Sequence, residues 1–354
     1  MKKSTSKYLF VARGPGETGQ ARSLAKYIAQ KKGKIVFCLL QEKNRAFVSK
    51  DKEFKIYLTK APKELAKVIK KEKPKVLLMF NSKTWALDKD FQKKPDCLSI
   101  GVDSNWLFNN QKYPAYPFIE WLDEYFVLFP EKIFSLGLKN FKIKKHILKR
   151  ITPVGFIPTS EPVKDKERIR KKYKIKDEKL IFAYFSGFGA AHRKFALDNL
   201  LSAVEKLRKK NRKIKVLYIG PQEGLEKELN QKWILKKEKL PCSEYFKTLA
   251  SSDLVFQHQG MVTLSQAISA QIPVICNVSL LKASLPKIHF WEVVPFQRAK
   301  MCKMFSKSSS AKKIARTIAK LLYNKKERNK MIKAQRKFFK KGEEKAYQLI
   351  QELL

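Results

Sequence analysis

The chain has 354 residues, 44% of them apolar and 12% aromatic, which excludes a disordered polymer and makes two α/β domains the natural prior. Its 77 Lys and Arg against 32 Asp and Glu give a formal net charge of +45, a field that attracts polyanions. No run reaches the roughly 20 apolar residues of a membrane span, and the apolar part of the N-terminal MKKSTSKYLFVARG is too short for a signal peptide.

The five cysteines, Cys38, Cys97, Cys242, Cys276 and Cys302, are scattered and lack CxxC spacing. They read as buried, reduced thiols of a cytoplasmic protein rather than as a disulfide framework or a zinc site. The basic residues are spread over nearly every segment, in pairs such as Lys31-Lys32, Lys70-Lys71 and Lys340-Lys341, and they match no nucleic-acid signature. The charge therefore reads as a lysine-biased surface. An anionic membrane surface is the expected partner for its excess, and no specific nucleic acid is expected.

Tyr8 to Ala12 predicts a strand, Arg13 to Gln20 a glycine-rich loop, and Ala21 to Lys32 a helix, the way a Rossmann-like domain begins. The glycine spacing is not the dinucleotide fingerprint and no acidic residue ends the next strand, Ile35 to Leu40, so NAD is not expected. Strands at Phe54 to Leu58, Val76 to Phe80, Cys97 to Val102 and Tyr125 to Phe129 alternate with helix-length or loop-length segments, which argues for a parallel sheet. Asp103, just past the third of these runs, falls where a doubly wound sheet places its ligands, although Asp-Ser-Asn is also ordinary turn chemistry. Trp106, Phe108, Tyr113, Tyr116, Phe118 and Trp121 form an aromatic-rich stretch that suits either an acceptor cleft or a packed loop.

Ile151 to Pro158, with two prolines and a glycine, predicts an interdomain connection. Beyond it, Leu180 to Phe185 predicts a strand and Phe195 to Lys209 a helix. Between them, Gly187 and Gly189 permit close backbone approach, and Arg193 sets a fixed charge at the helix start. His192 beside it reads as a loop residue without a role. After Asp253 the sequence runs strand, polar turn (His258-Gln259-Gly260), helix from near Thr263, strand. The helix stripe Leu264, Ala267, Ile268 and Ile272 leaves Ser265, Gln266 and Ser269 off the buried face. A glycine before a helix start is a natural seat for phosphate. The plainer reading is an ordinary βαβ unit. The chain closes with helices at Ala311 to Tyr323, Lys326 to about Phe339, and Glu343 to Leu354.

The stretch His258, Gln259, Gly260, Thr263, Gln266, Ala267, Ile268, Pro273 resembles the donor-binding signature of GT-B nucleotide-sugar glycosyltransferases, in particular the peptidoglycan lipid-intermediate N-acetylglucosaminyltransferase type. The resemblance implies two Rossmann-like domains facing across a cleft: an acceptor domain over residues 1–152, a donor domain over 153–335, and a tail, 336–354, crossing back. It implies that His258 and the helix start hold a diphosphate, with Gly187, Gly189, Arg193, Gln259, Gly260 and Thr263 around the donor. Gln266 stands at the ribose position, where the family carries Glu and a glutamine grips less firmly. Gly16, Thr18, Gly19 and Gln20 correspond to the family's acceptor or phosphate loop, with Gln20 in place of its histidine. A glutamine cannot act as a base, so Glu17 and Asp103 become the candidates for that role, Glu17 being equally suited to starting the helix.

The expected partners are a nucleotide diphosphate sugar, UDP-sugar first, and an unidentified acceptor. Cofactor and metal are both expected to be none. A nucleotide-sugar epimerase or hydrolase of the same fold, and a noncatalytic binding protein, are the alternatives.

Overall fold

A run such as Lys7–Ala12 (KYLFVA) or Val76–Phe80 (VLLMF), apolar on both faces, is stable only as a strand covered on both sides, and that is how the chain uses it. The computed structural model describes residues 6–59, 61–80, 94–104, 119–139, 145–160, 163–185, 190–258, 260–279, 286–306 and 309–354, with 242–243 and 286–291 by backbone alone. Two compact units result. One comprises Met1–Ser160 and Lys340–Leu354, the other Glu161–Phe339.

The first unit holds strands β1 (Lys7–Ala12), β2 (Lys34–Leu39), β3 (Lys55–Leu58), β4 (Val76–Phe80), β5 (Leu98–Asp103), β6 (Glu124–Val127) and β7 (Ile151–Pro153). They form one parallel sheet in the order β3-β2-β1-β4-β5-β6-β7. The second unit holds β8 (Lys179–Tyr184), β9 (Ile214–Ile219), β10 (Ile234–Lys237), β11 (Leu254–Gln257), β12 (Val274–Asn277) and β13 (Lys303–Phe305), also all parallel, in the order β10-β9-β8-β11-β12-β13. In each sheet the chain winds outward one way and then the other, so each has a switch point: between β1 and β4, and between β8 and β11. Each sheet also has its own apolar core.

Three sequence expectations are corrected. The helix after β1 runs Pro15–Gln30, not from Ala21: Pro15 occupies its first turn, Glu17 sits there as an acid, and Thr18 Oγ1 donates to Gly14 O at 2.8 Å. The first three residues of the expected connection, Ile151–Pro153, are the edge strand β7, paired with β6. The third concerns the Met261–Ser269 helix, which is buried nearly all round; Ser265, Gln266 and Ser269 are covered, and Ser265 turns its hydroxyl onto Val262 O at 2.8 Å.

The closing Glu343–Leu353 helix buries Ala346 and Ile350 in the first unit's core beside Leu24, Ala25 and Ile28. Tyr347 packs edge-on to Tyr27 at 6.0 Å, and Gln351 Nε2 donates to Tyr8 OH at 2.9 Å. The chain reaches that helix through a short parallel bridge, in which Phe156 N donates to Lys340 O and Gly342 N to Phe156 O, both at 2.8 Å.

Glu72, at the end of the Pro62–Glu72 helix, is buried at 6% exposure yet stays ionised. Burial opposes its charge, but Lys55, Tyr57 and Lys7 all donate to it and bring the carboxyl down to about 2.

Candidate functional site

A parallel sheet sends each chain leaving it toward the same edge, so loops from neighbouring strands meet there. In the second unit β8, β11 and β12 are adjacent, and the residues that follow them converge at the switch point. His258 follows β11 and is 1% exposed, its backbone N–H donating to Tyr184 O at the end of β8. Gly260 follows with φ +147°, a backbone conformation that a side chain strains, although an added Cβ would meet nothing within 4 Å. The helix then starts at Met261. Among the described residues its first backbone donor is Leu264 N–H, to Gly260 O at 3.2 Å. The N–H groups of Met261, Val262 and Thr263 therefore precede the helical ladder, and such donors attract an anion.

Thr263 is held by a half-buried partner. Its Oγ1 lies 3.2 Å from Tyr245 OH, and the Tyr245 ring packs edge-on against Phe182 and Tyr184, with centroids at 5.2 and 5.1 Å. Burial first, and the Tyr184 phenol second, push the Tyr245 hydroxyl well above its ordinary range, so it stays protonated as a hydrogen-bonding anchor. Of Pro241 to Tyr245, read as contacts to a nucleotide base, the half-buried Tyr245 is thus engaged with Thr263, Phe182 and Tyr184. Gln266, 2% exposed, lies three residues beyond Thr263 and shares its helix face.

From β8 the chain enters the Ala190–Arg208 helix, which begins five residues before the expected Phe195 and so takes in both His192 and Arg193. His192 Nδ1 and Ser279 Oγ are hydrogen-bonded, and Ser279 Oγ is 2.7 Å from His258 Nε2. The two imidazole centroids are 5.6 Å apart. Arg193 is turned toward β9: burial pushes the Tyr218 phenol up to about 12, and the Arg193 cation pulls the other way. Gly187, Gly189 and Gln259 lie outside the described residues.

The remaining predicted residues are in the first unit. Gly16 and Glu17 are in the first turn of the Pro15–Gln30 helix, and Thr18, Gly19 and Gln20 are buried on it rather than displayed on a loop. The reason at Gly19 is close packing, since a Cβ there would lie 2.7 Å from the Thr159 side chain. Asp103 ends β5, buried beside Tyr125, whose phenol is pushed well above its ordinary range by burial and then by the Asp103 carboxylate. Trp106, Phe108, Tyr113, Tyr116 and Phe118 are outside the described residues.

Two residues at this edge escaped the sequence reading. Ser279 is fully buried two residues beyond β12. Asn277, the last residue of β12, is also fully buried, and its side-chain amide has no hydrogen-bond partner among the described residues. The available signal was polar residues closing the apolar run Val274-Ile275-Cys276 at the ligand-bearing edge of a parallel sheet.

No family model matches the chain, and no curated protein matches it significantly by sequence. Solved structures do match. The S. aureus MnaA–UDP complex superposes with a TM-score of 0.70 at 14% identity, covering 95% of this chain and 93% of that one. A glycosyltransferase from Rickettsia africae gives 0.63 at 14% identity, covering 94% and 93%. The fold is GT-B. A UDP-N-acetylglucosamine 2-epimerase, also similar, gives 0.63 at 13% identity over 94% and 91% of the two chains. The GT-B fold thus carries both transferases and epimerases, and this chain shares its two parallel α/β sheets with them. Among the described residues no helix is long and apolar enough to cross a membrane.

Proposed function

We propose that the chain is a glycosyltransferase that moves a sugar from a nucleoside diphosphate donor, a UDP-sugar first, to an unidentified acceptor, with lipid-linked and cell-envelope molecules the first to test. The observation that carries this reading is the convergence of His258, strained Gly260 and the start of the Met261–Ser269 helix at the β8/β11 switch point. As the glycosidic bond breaks, negative charge grows on the departing diphosphate. Fixed N–H donors and an imidazole already aimed at it lower that barrier without reorganising. Arg193 adds a permanent cation on the β8–β9 side, and Gln266 is the group that meets the ribose hydroxyls. The proposed base is Asp103 or Glu17, which Asp103→Asn and Glu17→Gln separate: the variant of the true base loses turnover by about 100-fold or more while still binding UDP.

The epimerase reading is the second one, favoured by the likeness to a UDP-N-acetylglucosamine 2-epimerase. Titration calorimetry with UDP, GDP and TDP tests both, because failure of all three to bind removes either enzyme. Turnover of a UDP-sugar with no acceptor present would then favour the epimerase. The +45 charge further supports a cytoplasmic protein held peripherally at an anionic membrane surface. Sedimentation with phosphatidylglycerol vesicles, and none with phosphatidylcholine vesicles, is the expected result.

A further inference from the structure

The hydroxyl of Ser279 stands between two imidazoles, and the hydrogen bonds around it admit one consistent assignment. Its own backbone N–H donates to His258 Nε2 at 3.3 Å, which makes that nitrogen an acceptor and places the ring proton of His258 on Nδ1. The hydroxyl lies 2.7 Å from the same nitrogen. Since Nε2 carries no proton, the hydroxyl must donate to it; otherwise two lone pairs would face each other at that distance. The hydroxyl has a single proton, so the bond from the other side must be donated by His192 Nδ1–H. A directed chain follows: His192 Nδ1–H to Ser279 Oγ–H to His258 Nε2. His258 and Ser279 are almost completely buried, so no water competes for the bonds between them.

We propose that Ser279 is a positioning residue that fixes His258 in its Nδ1–H form and joins His192 to it, so that the two histidines meet the donor diphosphate as one oriented unit. The proposal rests on the nucleotide-site reading given above and deepens it. With Nε2 occupied as an acceptor, His258 can donate to an anion only from Nδ1. The loop that carries Ser279 therefore decides which nitrogen serves the phosphate. His192 acts through Ser279 and not on its own, which is why it lies on a different strand's connection from His258 and still belongs to the same site.

The chain has only four histidines, His146, His192, His258 and His289, so selective ¹⁵N-histidine labelling with assignment by single substitution resolves each ring by NMR. In the nucleotide-free protein His258 is expected to show the Nδ1–H pattern. In Ser279→Ala, which leaves only the longer backbone bond, the Nε2–H form should appear alongside it. A wild-type His258 protonated on Nε2, or a spectrum unchanged by Ser279→Ala, overturns the proposal without any ligand being needed.

UDP titration supplies the second arm. Ser279→Ala is expected to weaken UDP binding about three- to tenfold. His192→Phe should do the same alone and add nothing in the Ser279→Ala background, while His192→Asn, which keeps a donor, should bind as the wild type does. If UDP binds the wild type and Ser279→Ala equally, Ser279 has no positioning role, while the nucleotide site stands. If the wild type binds no nucleoside diphosphate, the site reading fails and takes the positioning role with it, whatever the tautomers show. Melting temperature, measured on every variant, identifies a substitution that has merely unfolded the protein, and the wild-type tautomer still decides in that case.

Discussion

Gln266 is one of the residues at which the chain departs from the transferase motif it resembles, and the departure has a measurable sign. A glutamine buried at 2% exposure costs little while its amide is bonded, whereas a carboxylate buried there without a ligand costs several kcal/mol. Once ribose hydroxyls arrive the order reverses, because a charged acceptor makes stronger hydrogen bonds than a neutral one. Gln266→Glu is therefore expected to lower the melting temperature of the nucleotide-free protein by roughly 5 °C and to enlarge the rise produced by saturating UDP. An unchanged response to UDP would place the ribose elsewhere. Asn277 poses a related question, since its fully buried amide stands where strand β12 ends, at the same sheet edge. A buried amide of that kind loses of order 1–3 kcal/mol until something bonds it.

At the scale of the element, the helix Met261–Ser269 depends on how it is entered. Gly260 at φ +147° turns the chain from β11 into the helix, and an alanine there is strained by backbone conformation alone. Gly260→Ala is expected to cost about 1–3 kcal/mol, read as a lowered urea midpoint, and to weaken UDP binding together with stability. Unchanged stability would mean that the turn relaxes freely. The sequence made most of these elements legible: strands β4 and β9 and the helices Pro62–Glu72 and Ala311–Tyr323 lie where periodicity places them, because a long apolar pattern has few alternatives.

The starts of the helices Pro15–Gln30 and Ala190–Arg208 were the illegible part. Gly14-Pro15-Gly16-Glu17-Thr18-Gly19 reads as loop by propensity, yet proline at the first turn, an acid after it and packing against Thr159 make it a helix. Ser265, Gln266 and Ser269 look like a solvated face because periodicity sees one helix and not the elements that cover it. Of the site, His258, Gly260 and Thr263 were legible as a local motif. Ser279 was not, since its contacts are to a ring 21 residues away on another strand's connection, and the bond of His192 to it was invisible for the same reason.

For the molecule as a whole, the net charge of +45 surrounds carboxylates with bases, and three buried or half-buried ones show the result. Glu72 is held by Lys7, Lys55 and Tyr57, Asp51 by Arg22 and Lys26, and Glu244 by Lys172 and Tyr173. In all three, burial opposes ionisation and the donors outweigh it, so the folded carboxyl titrates below its unfolded value, Glu72 at about 2. A depressed folded pKa contributes stability that is complete above the unfolded value, near 4, and is lost as pH falls through the folded one. Thermal stability is therefore expected to be level from about pH 7 to 5 and to fall steeply toward pH 2, with repulsion among the unpaired cations adding to the loss. Glu72→Gln should be less stable at pH 7, by about 2 kcal/mol after allowance for the exposed lysines, and should show a shallower decline. Parallel curves for the two proteins would show that Glu72 is not a source of the acid lability.

The central claim is that the start of the Met261–Ser269 helix, beside His258, seats the diphosphate of a sugar nucleotide. A crystal structure of the protein with UDP tests it most directly. The account predicts phosphate oxygens within hydrogen-bond distance of the backbone N–H groups at Val262 or Thr263 and of His258 Nδ1. UDP bound elsewhere, or a phosphate position filled by the protein's own side chains while UDP at millimolar concentration stays in solution, would contradict it.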